Sequence, residues 1–299
     1  MIRFTQKWRQ TRLGLLFIGP WIIGFCAFYL YPFAATFYYA FTRFTGIGNP
    51  TFTGLANFNT LIHDPVFRTA LFNTFYYTAI EVPVSTAAAL GLALLLNMNV
   101  RGQAFYRTLF YIPSIVPVIA SSMIFVWIFQ PSFGIVNSVL SDVHVSGPAW
   151  FFSISWSKPS FILLGLWGLG QPMVIYLAAL QGVPREMYEV ADLEGANAWQ
   201  RLRKVTIPMI SPVILFNVIM SLVLSIQYFT QAQVIENPPG SPGSSTMFFV
   251  TYYYQQAFTD LHLGYASAMT FLLFILVLLV TVVLLRTSRR WVHYENEAR

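Results

Sequence analysis

Residues 184–208 read PREMYEVADLEGANAWQRLRKVTIP. Eight of them are charged: Arg185, Glu186, Glu189, Asp192, Glu194, Arg201, Arg203 and Lys204. On either side the chain runs uncharged, from Pro159 to Val183 and from Val205 to Ile235. A polar island between two apolar runs long enough to cross a bilayer has to sit in water. Its order of proline, acids, small residues, glycine, basic cluster and proline predicts a folded element. Pro184 suits a first helical position, and Glu186 and Glu189 fall near the positive end of the helix dipole. Met187, Ala191 and Gly195 are spaced by four, so one side of the helix grows progressively smaller and lets another surface approach. Beyond Gly195, Ala198, Leu202 and Val205 continue an apolar side while Arg201, Arg203 and Lys204 point elsewhere. The stretch therefore predicts two short amphipathic helices joined near a glycine at the bilayer surface. Two readings stay open at this point: a pair resting on lipid headgroups, with its cations on anionic lipid, or a helix that docks a protein partner.

Composition decides the solvent. Of 299 residues, 56% are hydrophobic and 9% charged, and the mean hydropathy is +0.60. Soluble domains carry roughly 25% charged residues, so this chain lacks the polar groups to cover a globular surface. It reads as an integral membrane protein. The net charge of +6 invites a nucleic-acid reading, but the basic residues are scattered through short loops and form no stripe, so no nucleic-acid partner is expected. The single cysteine, Cys26, excludes an internal disulfide and a cysteine metal cluster, and reads as a packing residue. His63, His144, His262 and His293 show no metal-ligand spacing.

Six apolar runs follow along the chain: Leu13 to about Phe41, Ala70–Asn97, Leu109–Phe129, Ser160–Gln181, Pro208–Gln231 and Tyr265–Leu285. Each holds the ~20 residues that cross ~30 Å of hydrocarbon at 1.5 Å per residue. Backbone groups in lipid must be satisfied internally, so the runs are expected to be helices. The first run follows a basic start (Arg3, Lys7, Arg9, Arg12) but exceeds the apolar core of a typical signal peptide, and is read as an uncleaved span. With an even number of spans both termini share one side. If that side is the cytoplasm, fourteen of the seventeen Lys and Arg fall inside and only Arg43, Arg68 and Lys158 outside, the bias of the positive-inside rule. The expected architecture is an all-α integral membrane protein of six transmembrane helices with cytoplasmic termini. It comprises a cytoplasmic segment at 1–12, a six-helix domain at 13–287 with a cytoplasmic loop at 184–208, and a cytoplasmic tail at 288–299.

Prolines recur inside the spans (Pro20, Pro32, Pro83, Pro113, Pro117, Pro172, Pro212) and predict kinks. The external connections 43–68, 131–159 and 233–264 are long and rich in Gly, Pro and aromatics. Within them FGIVNSVL (Phe133–Leu140) has the spacing of a short surface helix. These loops are read as a docking surface for an external partner.

The polar stretch resembles the EAA loop of ABC-transporter permease subunits. Glu189-Val190-Ala191 is followed after three residues by Gly195, and after nine more by Val205-Thr206-Ile207-Pro208, which is the family's spacing. PREMYEVADLEGA looks most like the carbohydrate-uptake branch, the maltose and glycerol-phosphate type. Val190 stands where that branch has alanine and Glu194 where it has aspartate. GLANFNTLIHDPVFRTALFNT (Gly54–Thr74) resembles the family's approach to its second span. Leu109–Asn137 resembles its third span, with the exit at Trp127, Pro131, Gly134 and Asn137. The external turn NPPGSPGSST (Asn237–Thr246) departs from the family's T-x-G-G-P form.

The resemblance implies a type I importer permease fold in a bacterial or archaeal cytoplasmic membrane. It implies that Glu189, Ala191 and Gly195, with Glu186, Tyr188, Glu194 and Ala196 around them, form a coupling helix seated in a cytoplasmic ATPase. The implied partners are a second permease subunit of different sequence, an ATPase dimer, an extracytoplasmic binding protein and lipid. No G-x-x-x-x-G-K-[ST] phosphate loop occurs, so the chain itself carries no cofactor and no catalytic residue; ATP and Mg belong to the partner ATPases. Substrate-path candidates combine polarity with resemblance. Glu81 lies near mid-bilayer, where a lone acid marks a functional site; its rival role is a carboxyl hydrogen-bonded between helices. SIQYFTQAQ (Ser225–Gln233) puts Ser225, Gln227, Tyr228 and Gln231 on an otherwise apolar helix, offering the amides and aromatic faces a sugar needs. Interhelical hydrogen bonding is the rival reading there. Gln171 falls where family members contact sugar. The competing function is a self-sufficient secondary transporter driven by protons through Glu81, which inverted repeats and broken helices would support.

Overall fold

The computed structural model describes residues 2–98, 101–236 and 238–293. The tail beyond His293, Asn237 of the external turn and the side chains of Arg3, Lys7, Arg9 and Arg12 lie outside what is described. The chain is helical: α1 (Ile2–Phe25) runs through a π-helical turn at Cys26–Leu30 into α2 (Tyr31–Tyr39). A two-residue hairpin of β1 (Thr42–Arg43) and β2 (Thr51–Phe52) follows, then α3 (Ala56–His63) and α4 (Pro65–Asn97). Next come α5 (Gln103–Ile115), α6 (Val118–Ile128), α7 (Ile135–Asp142), α8 (Ser157–Leu166) and α9 (Gly170–Gln181). The remainder comprises α10 (Arg185–Leu193), α11 (Ala198–Arg201), α12 (Ile207–Ile226), α13 (Thr230–Ile235), α14 (Phe249–Tyr254) and α15 (Leu263–Ser288).

Four helical stretches are long and apolar enough to cross a membrane: Leu13–Tyr39, Pro65–Asn97, Ala198–Ile235 and Leu263–Ser288. The other two apolar runs are bent pairs. α5 and α6 meet at 99°, and α8 and α9 at 49°. The expectation of one uninterrupted helix at 109–129 is therefore corrected. Pro117 forces Val116 out of the helical region, and both residues are extended with ψ of 131° and 134°, as sterics before proline require. By contrast, Pro20, Pro83, Pro113 and Pro212 sit inside continuous helices. Cys26, read as a packing residue, is instead exposed on the first span.

The chain forms two compact units. One is the chain up to Asp64 with Tyr253–Ile275, the other Pro65–Tyr252 with the chain from Leu276. In the first, Asn57 Nδ2 donates to the carbonyls of Ala40 and Thr42, both at 2.9 Å, and Phe37 stacks edge-on against Phe271 and Phe274. In the second, α4 packs along α9 and α12, α5 against α9, and α6 against α13. Ala89 and Ala93 on α4 are fully buried against Met173 and Tyr176 of α9 and Ile210 of α12. In lipid, such close approach through small residues is what holds helices together. An aromatic cluster of Phe129, Trp150, Phe151, Phe161, Tyr228 and Phe248 forms a second core.

The predicted surface helix is present as α7, and its approach shows why Gly134 and Asn137 stand there. A Cβ on residue 134 would lie 2.3 Å from the Gln130 carbonyl oxygen. Asn137 Nδ2 donates to the carbonyls of Pro131 and Pro148, and its Oδ1 accepts from Trp150 Nε1 at 2.7 Å. Asn137→Leu keeps the size but orphans two carbonyls and an indole N–H. It is expected to destabilise the chain by about 2–4 kcal/mol, read as a lowered melting temperature of the detergent-purified protein.

The external turn is strapped to the bundle. Asn73 Nδ2 donates to Ser244 and Met247 carbonyls, Thr74 Oγ1 accepts from Phe249 N, and Ser157 and Ser245 hydroxyls meet at 2.9 Å. Glu236, just past α13, accepts from Gly240 N at 2.7 Å. Burial pushes its carboxyl up to about 8, against the Gly240 hydrogen bond. The folded carboxyl thus keeps its proton where the unfolded chain, titrating near 4.3, has lost it. The turn is expected to lose stability as pH climbs from about 5 to about 8 and to change little beyond. Faster amide exchange across 238–247 over that window, flattened by Glu236→Gln, checks this.

Candidate functional site

A cavity of about 570 Å³ opens within the second unit, walled by α4, α9, α12 and the start of α13. α4 contributes Tyr77, Glu81 and Ser85, which at four-residue steps share one helix face. Gln171 and Tyr176 come from α9, Asn217 and Ser221 from α12. All six polar residues picked from the sequence as path candidates (Glu81, Gln171, Ser225, Gln227, Tyr228, Gln231) line this one cavity.

Their setting differs from expectation in one respect. Ser225, Gln227, Tyr228 and Gln231 do not share one helix. α12 ends at Ile226, Gln227 turns to φ −91° and ψ 20°, and Phe229 sits at φ −144° before α13 begins. On a straight helix Ser225 and Gln227, two residues apart, would face opposite sides. The break brings both to one wall.

Not all six side chains are equally free. Ser225 is buried and its hydroxyl donates to Thr78 Oγ1 at 3.2 Å and shares the Leu222 carbonyl, so it ties α12 to α4. The Tyr228 ring stacks tilted on Tyr77 with centroids 4.6 Å apart and edge-on to Phe161 and Phe248. Thr86 Oγ1, Tyr176 Oη and Tyr228 Oη are buried with no hydrogen-bond partner among the described residues. Ser85 Oγ, one turn from Glu81, donates to the Val82 carbonyl at 3.2 Å. The amides of Gln171, Asn217, Gln227 and Gln231 beside an apolar and aromatic floor suit a ligand rich in hydroxyls. Among the described residues no three His, Cys, Asp or Glu are grouped to hold a metal ion.

The 184–208 stretch forms one short helix, α10, but the second predicted short helix is corrected: α11 runs on through a π-helical turn at Leu202–Thr206 into α12 as the start of one long helical stretch. Pro184 caps α10 and Glu186 occupies its first turn. Gly195 takes φ +75°, where L side chains are strained. Ala196 N donates to the Ala191 carbonyl at 2.9 Å and Gly195 N to Asp192 at 3.0 Å, which is the Schellman helix end. Arg201 Nη1 bonds Asp192 Oδ1 at 2.8 Å across the turn. Asn197 and Gln200 form a reciprocal capping box that starts α11, and Tyr188 Oη meets Thr206 Oγ1 at 3.1 Å. Glu186, Glu189, Glu194 and Gly195 are exposed, while Tyr188 and Ala196 are half-buried. A second expectation changes. Ala191 is 7% exposed, so its small side faces the chain's own interior and not an open partner surface. The open apolar positions are Met187, Val190 and Leu193, the last 89% exposed.

Cavity and loop are joined by two helices. α9 carries its cavity residues at the start and leads into the loop, and α12 leaves the loop and reaches the cavity in its second half. Sequence reasoning passed over Tyr77, Ser85, Thr86, Tyr176, Asn217 and Ser221. The four-residue polar stride Asn73, Tyr77, Glu81, Ser85 through an apolar helix was the available signal for α4; Asn197-x-x-Gln200 was the signal for the capping box.

The family model described as "Binding-protein-dependent transport system inner membrane component" matches residues 83–293. The chain belongs to this family of transport permeases. The permease is 36% identical to the probable ABC transporter permease protein YesP of Bacillus subtilis, over 97% of this chain and 94% of that relative. It is 33% identical to the sulfoquinovosyl glycerol transport system permease protein SmoG of Agrobacterium fabrum, over 97% of each. It is also 33% identical to the lactose transport system permease protein LacF of Rhizobium radiobacter, over 88% of this chain and 90% of that one. Among solved structures, a chain of the bacterial alginate ABC transporter superposes with a TM-score of 0.83. That pair covers 96% of the permease and 98% of the other chain at 22% identity, a likeness of fold.

Proposed function

We propose that this permease is one of two membrane subunits of an ATP-driven importer for a sugar or oligosaccharide. In this reading it crosses the cytoplasmic membrane six times with both termini inside, each bent helix pair counting as one span. An extracytoplasmic binding protein delivers substrate to the external loops. The polar cavity is this chain's share of the path, and a second, different permease subunit faces it. α10 sits in a cytoplasmic ATPase dimer, which holds ATP and Mg. The observation that carries the reading is the cavity itself: amides and aromatic rings converge on one space, the surface a polyhydroxylated ligand needs. Two features support coupling. The exposed α10 face of Met187, Val190 and Leu193 is apolar and unpartnered in this chain, and α9 and α12 give a movement of the loop two rigid routes to the cavity wall. The relatives' printed substrates, lactose among them, support the sugar class.

The test is a tagged chain expressed with its partner genes. The ATPase is expected to copurify, and its hydrolysis is expected to rise when loaded binding protein is added. Gln227→Ala together with Gln171→Ala removes two amides from the cavity and is expected to cut uptake at least about tenfold, at about 1.5 kcal/mol for each lost hydrogen bond, with copurification unchanged. Proton-coupled uptake by this chain alone would overturn the reading in favour of a secondary transporter working through Glu81.

A further inference from the structure

We propose that the cavity accepts only sugars without an anionic group, and that Glu81 sets this selectivity; the proposal rests on the sugar reading above. Glu81 is the one carboxylate on the wall, and the described lining residues include no Lys, Arg or His. Lys158 on α8 has its Nζ 5.4 Å from the Tyr76 ring centroid, and neither residue lines the cavity. Among the described residues Glu81 makes no ion pair. Its neighbour Ser85 gives its hydroxyl proton to the Val82 carbonyl at 3.2 Å, and the Glu81 side chain lines the cavity.

The consequence is an asymmetry between ligand charges. A uronate, sulfonate or phosphate entering this space meets no counter-charge, and it meets Glu81. Like charges brought together in a desolvated site are strongly disfavoured. If Glu81 carries a proton, the anion still finds no cation. A neutral or amino sugar brings hydroxyl or ammonium donors, and a carboxylate accepts these as charge-assisted hydrogen bonds. Gln171, Asn217, Gln227 and Gln231 complete a wall matched to uncharged polyols. The ligand class shared by neutral and amino sugars is a hydrogen-bond-donor-rich glycan. A partner permease facing the cavity adds its own groups, and substituting Glu81 isolates this chain's share.

The test uses the transporter purified with its partner chains, without the binding protein. Tetrasaccharide probes of three kinds are titrated and followed by intrinsic fluorescence: neutral (maltotetraose, xylotetraose, cellotetraose), amino (chitosan tetramer) and acidic (tetragalacturonate, tetramannuronate). At least one neutral or amino tetramer is expected to bind, with acidic ones weaker by about tenfold or more. Glu81→Gln is expected to narrow that gap to about twofold while the complex stays monodisperse. An acidic tetramer within about threefold of the tightest neutral one overturns the charge rule and leaves the sugar cavity standing. A gap unchanged by Glu81→Gln removes Glu81 from the role. Failure of every tetramer to bind overturns the sugar reading and this proposal together.

Discussion

Gly195→Asn in the assembled transporter is expected to leave the permease folded and inserted while abolishing stimulated ATP hydrolysis and uptake. A Cβ built on Gly195 meets nothing within 4 Å of its own chain, so the chain itself has room for a side chain. The backbone sits at φ +75°, a conformation that asparagine tolerates better than most residues. The internal penalty is therefore small, and a large loss reports bulk where a partner approaches. Gly195→Val serves as the contrast, since it adds backbone strain of about 1–2 kcal/mol and would also lower stability. Glu189→Lys, on the exposed side of α10, is expected to act like Gly195→Asn by reversing a charge at the proposed contact. Full substrate-stimulated hydrolysis in Gly195→Asn would show that no partner packs there.

The second large effect concerns the cavity's support. Gly170→Leu is expected to eliminate folded permease. A Cβ at residue 170 would sit 2.6 Å from the Phe110 carbonyl oxygen, 2.8 Å from Tyr111 Cα and 2.9 Å from Ser114 Oγ. The first two are backbone atoms of α5, so no rotamer change relieves the clash. Prising α5 from α9 costs about 3 kcal/mol or more and displaces Gln171 from the cavity wall. Gly170→Ala should already lower the melting temperature. Gly182→Ala, whose nearest contact would be an ordinary 3.4 Å to the Ala179 carbonyl, should not. Equal stability of the two alanine variants would refute this account of the α5–α9 contact.

Much of this was legible in the residues. Apolar runs of bilayer length become helices because lipid leaves the backbone no other partner, and the polar island forms α10 because proline, acids and a left-handed glycine mark its ends. The cavity was legible as polar residues on apolar helices. What stayed hidden was geometry that depends on other elements. Nothing local to SIQYFTQAQ announces that α12 stops at Ile226, since no proline or glycine stands at Gln227–Phe229. The 99° turn at Val116 was half-visible: Pro117 predicted a bend, but only packing turns a bend into a right angle. Ala191 was misread because helical spacing gives the faces of a helix without saying which one the rest of the chain covers.

The ion pair of Asp192 with Arg201 and the capping box of Asn197 with Gln200 have a further consequence. Together with the Schellman end and the bond of Tyr188 to Thr206 they satisfy the 184–208 stretch from within, while Tyr188 packs on the core that α4, α9 and α12 share. The cavity lies at the other end of α9 and along the second half of α12. On the proposed roles of loop and cavity, cargo preference and motor compatibility would be open to change as separate modules. A chimera that exchanges only 184–208 between two permeases should inherit its ATPase from the donor and its diet from the recipient.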